Sequence, residues 1–160
     1  MYDAALSLLL AQVIRIVETA APSIRPAWWA RRAQDLRIQA VVSDFFFDLD
    51  DGLTAEQREE FAQLLEHAAD RLSEREPFTV EEATMWKVHG DETVIFRGTQ
   101  PQATGPVAEL GRVLAGLLRG PLPAPPPGAL WFYGGSEGRS TIAMAGPARD
   151  GEQPQPRHDQ

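Results

Sequence analysis

A chain of 160 residues that is 43% hydrophobic and 24% charged has the make-up of a single globular domain with a sizeable core. A net charge of −8 opposes binding to a phosphate backbone, and the lack of cysteine removes disulfides, thiolate chemistry and the usual ligand of structural zinc. No apolar run reaches the roughly 18 residues of a membrane span, and MYDAALSLLL lacks the basic flank of a secretory signal, so no membrane association and a cytoplasmic location are expected.

Residues 3–21 place Leu6, Leu9, Leu10, Val13, Ile14, Val17 and Ala20 at helical spacing, with Arg15, Glu18 and Thr19 turned away. Pro22 and Pro26 break this helix, and Pro26 suits the first turn of the next, expected from Ala27 to Arg37. That segment interleaves Trp28 and Trp29 with Arg25, Arg31, Arg32 and Arg37. Two readings are open: a basic-aromatic patch for an anionic partner, or a core Trp whose neighbouring arginines are solvated or docked on the protein's own acids.

From Ile38 to Leu49 both strand and helix periods fit, and the cap signals immediately after Leu49 favour a helix. Gly52 suits a left-handed position after a helix, Leu53 the contact that accompanies it, and Thr54 with Gln57 forms a capping box. Two helices joined by DDGL are therefore expected, the second from Ala55 to about Arg75 with Phe61, Leu64, Leu65, Ala68, Ala69 and Leu72 as its apolar stripe.

Charge is concentrated here. Residues 44–82 hold thirteen acids and three bases, a net of −10, whereas residues 1–43 carry +2 and residues 83–160 are balanced. Glu59, Glu66, Asp70 and Glu74 fall on the outward face of the 55–75 helix, and the like charges of Glu66, Asp70 and Glu74 at i, i+4, i+8 cost a few tenths of a kcal/mol per pair. A basic protein meeting this row would relieve that cost, which makes these four residues the candidate partner-binding set.

Pro77 ends the helix, and Thr79 with Glu82 signals a short second start, with Phe78 as staple. MWKV (85–88) and TVIFR (93–97) flank a turn at Gly90 and read as a hairpin. Thr104 is expected to cap a helix with Val107, Leu110, Val113, Leu114, Leu117 and Leu118 on one face, where Gly111 and Gly116 weaken it or admit a close neighbour. PLPAPPPG (121–128) is a stiff connector, ALWFYG (129–134) and STIAMA (140–145) a second hairpin, and residues 147–160 a polar tail expected to be disordered. The expected architecture is α+β: one domain over residues 1–146, with an N-terminal helical layer followed by a ββαββ unit whose antiparallel sheet packs on helices.

FDLDDGLT (47–54) resembles the first motif of haloacid-dehalogenase-type phosphatases. The resemblance implies Asp48 as nucleophile, Asp50 as acid/base and Mg²⁺ beside them, but Gly52 stands where that family has Thr or Val. Asp48, Asp50 and Glu59 also match three positions of an EF-hand loop, with Gly52 one residue early. His67, His89 and His158 are isolated, and no nucleophile, P-loop or dinucleotide motif is present. A pocket lined by Trp86, Phe96, Trp131 and Tyr133 competes with use of those rings in the core.

The expectation is thus a non-catalytic acidic module, without cofactor or metal, that binds a basic protein. Immunity proteins that neutralise a nuclease-like toxin, or chaperones of secreted effectors, are examples of such a role. Lys87 is the only lysine beside fourteen arginines, a usage expected of a GC-rich bacterial genome. The Mg²⁺-dependent phosphatase is the alternative.

Overall fold

A computed structural model describes residues 4–42, 49, 52–94, 100–120, 126–133 and 139–143, the last two strands by their backbone. Helix α1 (Ala4–Thr19) buries Leu8, Leu9, Leu10, Val13, Ile14, Ile16 and Val17, so it is apolar almost all round and not the one-faced helix expected. It packs on α2 (Trp29–Val42), α3 (Ala55–Ser73) and α5 (Thr104–Arg119), which places it at the centre of the core. Each such large side chain, fully buried, contributes about 1.5–3 kcal/mol through area removed from water.

The end of α1 is closed by Arg25, whose Nε and Nη2 donate to the carbonyls of Ala20 (3.2 Å) and Glu18 (2.9 Å). These are the acceptors that a helix C-terminus leaves without intrahelical partners. A short 3₁₀ turn, Pro22–Ile24, then leads to α2. Its buried stripe is Trp29, Ala33, Leu36 and Ala40, and the helix runs unbroken through Arg37–Ile38, where a boundary was expected. Ile38 and Val42, expected on an apolar face, are exposed because that phase belongs to the wrong side of one continuous helix. Residues 43–48, the remainder of that expected helix, lie outside the described residues.

Local cap chemistry matches its sequence signals. Thr54 and Gln57 bond reciprocally at the start of α3 (3.3 and 3.2 Å), behind Gly52 at φ +65°. Thr79 accepts from the Glu82 N–H to open α4 (Val80–Thr84). Phe78 does more than staple: it is fully buried, and its backbone exchanges two hydrogen bonds with Gln102 (2.9 and 2.8 Å). At α5 the cap differs from expectation. Ala103 is the N-cap, and Thr104 lies inside the helix with its hydroxyl donating to the Arg75 carbonyl (3.3 Å).

The ββαββ sheet is not formed. Strands β1 (Lys87–His89) and β2 (Glu92–Thr93) make a short irregular hairpin around Gly90, and β3 (Ala129–Tyr133) pairs antiparallel with β4 (Arg139–Ala143) in a separate ladder. The described strands therefore belong to two two-stranded sheets, and the fold is predominantly helical. The reason is in the packing: α1, α3 and α5 fill the core with one another, and Trp86, expected in a strand, closes α4 and packs edge-on against Phe78 (5.0 Å). Residues 95–99, 121–125, 134–138 and 144–160 lie outside the described residues, and with them much of the expected second strand, connector, glycine turn and tail.

Helices α3 and α5 share the tightest seam, and Gly111 makes it possible. A Cβ there would stand 3.0 Å from Leu9 Cδ1, 3.1 Å from Ala69 Cβ and 3.1 Å from the Leu65 carbonyl oxygen. Gly116, on the open side of the same helix, meets nothing within 4 Å. Gly111→Ala is expected to lower the thermal midpoint, overpacking of about 1–3 kcal/mol outweighing a helix-propensity gain of about 1 kcal/mol. Gly116→Ala should raise it; equal shifts of one sign in thermal melts would refute the close seam.

Candidate functional site: the acidic face of α3

The stripe Phe61, Leu65, Ala68, Ala69 and Leu72 turns inward, and the helical period then directs Glu59, Glu66 and Asp70 to the outer edge facing α5. Helix α5 presents Arg112 and Arg119, two turns apart, to that edge. Arg119 donates from Nε and Nη2 to Glu59 (2.9 and 2.8 Å), and from Nη2 to Glu66 (2.9 Å), with a further bond from Nη1 to Glu66. Arg112 Nη2 reaches Asp70 Oδ1 (3.0 Å) and Ser73 Oγ (2.9 Å). The fork of a guanidinium suits two carboxylates in this way, and a cation in the last turn of α5 also suits the helix dipole.

Of the four residues singled out by sequence, the structure brings three onto this α5 clamp. Glu74 stands apart at the end of α3, exposed and without an ion pair among the described residues. The arginines were missed: Arg119 alone takes both Glu59 and Glu66 and Arg112 takes Asp70, a pairing that follows from how α5 packs on α3 and not from a shared spacing in the sequence.

An open groove of about 380 Å³ lies beside Arg119, with the exposed Leu117 and the buried Leu118 on its wall. On the opposite flank of α3 a second groove, about 540 Å³, runs between the 3₁₀ turn and Glu60, Leu64 and His67, with Ile24 73% exposed on its rim. Between them the outward face of α3 carries Glu56, Gln63 and Glu74, all exposed.

The basic-aromatic segment resolves toward structure. Trp28 and Trp29 are only 3% and 5% exposed; Trp28 packs on Phe61 (5.2 Å) and its indole N–H donates to Glu60 (2.8 Å). Arg31 binds the Gly52 carbonyl (2.6 Å), Arg32 pairs with Asp35 (3.2 Å), and Arg37 pairs with Glu18. Asp48 and Asp50 of the phosphatase-like motif lie outside the described residues, as do Phe96 and His158. Among the described residues no group of three or more His, Asp or Glu side chains could hold a metal ion, and no helix is long and apolar enough to cross a membrane.

Hydrogen bonds from Arg119 hold both Glu59 and Glu66 below the ordinary glutamate value of 4.5, Gln63 assisting at Glu59. The Arg119 guanidinium is correspondingly pushed up, first by Glu59 and then by Glu66. A depressed folded-state value means that the clamp's stabilisation is complete above about pH 4.5 and is lost as the pH falls through the folded values. Carboxyl NMR titrations should show both groups ionising early in the wild type and returning toward 4.5 together in Arg119→Gln. Titration unaffected by that substitution would mean the clamp does not form in solution.

Comparison with family models, curated proteins and solved structures finds no match. The residues themselves are the guide to function.

Proposed function

We propose that this chain is a non-catalytic binding module whose acidic α3 face receives a basic protein. The observation that supports the reading is the Arg119 clamp: Glu59 and Glu66 already take a guanidinium in fork geometry. An arginine supplied by a partner would meet the same acceptors, by exchanging with Arg119 or by adding to the exposed acids beside it. Leu117 and Ile24, exposed on the two flanking grooves, supply apolar contact on either side of the charged row. Electrostatic complementarity of this kind speeds association and sets register, and the partner's apolar residues provide much of the affinity.

In its finer form the partner is a nuclease-like toxin neutralised in a bacterial cytoplasm, or a secreted effector kept in a bound state. Both fit the acidity of the row, and the identity of the captured protein separates them.

The test compares capture of a basic protein from native cells, identified by mass spectrometry, by the wild type and by three variants. Glu59→Lys/Glu66→Lys/Asp70→Lys should weaken capture by about tenfold or more with circular dichroism retained. The neutral Glu59→Gln/Glu66→Gln/Asp70→Asn set should weaken it less. Arg119→Ala, which frees two carboxylates, should bind as well as the wild type or better. Capture unchanged by charge reversal would reduce the row to solvated surface.

A further inference from the structure

The described strands fall into two hairpins, and only one of them is built to resist pairing with a further strand. β1 and β2 span three and two residues, their register shifts between Lys87 and His89, and β1 opens on the chain's one lysine. Short length, irregular register and a lysine all discourage a sheet edge from recruiting another chain. β3 and β4 have none of them. Their five residue pairs run in unbroken register from Ala129↔Ala143 to Tyr133↔Arg139. The ALWFY of β3 contains no charge, proline or glycine and is rich in the aromatic residues that suit a strand.

The ladder holds two strands, and among the described residues no other strand pairs with either. Helix α5 approaches it at β4, which makes β3 the outer strand. In an antiparallel pair, alternate residues turn their N–H and C=O groups away from the partner strand, so β3 carries a row of backbone donors and acceptors along its far side. A ladder of two strands is marginal in water, and further strands stabilise it.

We propose that β3 pairs antiparallel with β3 of a second copy, giving a four-stranded sheet in the order β4-β3-β3-β4 across a two-fold axis. Symmetry is the first argument. A two-fold contact must be self-complementary, and antiparallel pairing centred on Trp131 uses the whole strand: Leu130 and Ala129 stand opposite Phe132 and Tyr133 of the second copy. Cross-strand pairs of aliphatic and aromatic residues stabilise such a ladder. Charge is the second argument. Each chain carries −8, and every α-helix from α1 to α5 contains at least one carboxylate, whereas β3 and β4 contain none and carry Arg139 alone. Two copies therefore meet with least repulsion at this ladder, and a basic protein of the kind proposed for α3 finds no acid on either strand. A contact of five residues a side is smaller than the interface of a permanent dimer, so the association is reversible and depends on concentration.

The test is sedimentation velocity on the full chain over about a hundredfold range of concentration. A monomer–dimer equilibrium is expected. Trp131→Lys and Phe132→Lys, at neighbouring register positions and so on opposite faces of the ladder, each place a charge in the edge strand and should weaken dimerisation by about tenfold or more. Circular dichroism and a thermal melt identify which variants keep the fold. Because the chain has no cysteine, Trp131→Cys gives a second reading: mild oxidation should join it into a disulfide-linked dimer, while Thr141→Cys, at the paired position on β4, should stay unlinked. That comparison decides if neither lysine variant folds. A chain that is monomeric throughout overturns the proposal, and protection of all β3 amides from hydrogen exchange would then assign the edge to another segment of the same chain. Dimerisation retained in a folded lysine variant, or crosslinking of Thr141→Cys as ready as that of Trp131→Cys, overturns it too.

Discussion

Close approach of α3 and α5 at Gly111 is the constraint on which the remaining geometry rests. With Leu9 Cδ1, Ala69 Cβ and the Leu65 carbonyl all about 3 Å from where a Cβ would stand, the two helices and α1 meet with no space for a side chain. This approach brings long arginines on α5 within reach of short acidic chains on α3. A wider seam would leave Arg112 and Arg119 in solvent and the α3 row uncompensated. Packing sets the distance, and the charges make use of it.

The acidity therefore has a different meaning in the folded chain than along the sequence. Thirteen acids between residues 44 and 82 describe a repulsive segment. In space, Glu59 and Glu66 share Arg119, Asp70 takes Arg112, Glu60 accepts from Trp28, and Glu82 holds Arg75. The like-charge cost along α3 is offset within the molecule, so the basic partner proposed above would have to compete with α5 for part of the row. Surface ion pairs are individually weak, and such an exchange is energetically accessible.

What could be read from the sequence was local. The capping box of Thr54 and Gln57, the Thr79 cap, the stop at Pro77 and the apolar stripe of α3 follow from spacing within one or two turns. Pairing over long separations was not legible. Strand-like composition around Trp86 and Val88 implied a sheet, yet whether two hairpins join depends on what covers them, and here helices occupy the core. The heavy burial of α1 was concealed because Leu8 and Ile16 look like excess on an amphipathic pattern until three neighbours enclose it. For the site, the acidic row was visible as a period, while its cations lie 42 to 60 residues later and become its partners only through the packing of α5 on α3.

If α5 holds the acidic row of α3 from within the same chain, Glu66 and Arg119 must be energetically coupled. A double-mutant cycle on folding stability with Glu66→Gln and Arg119→Gln, run at low and high salt, measures that coupling. A favourable coupling that shrinks as salt is raised is expected. Strict additivity at low salt would contradict it.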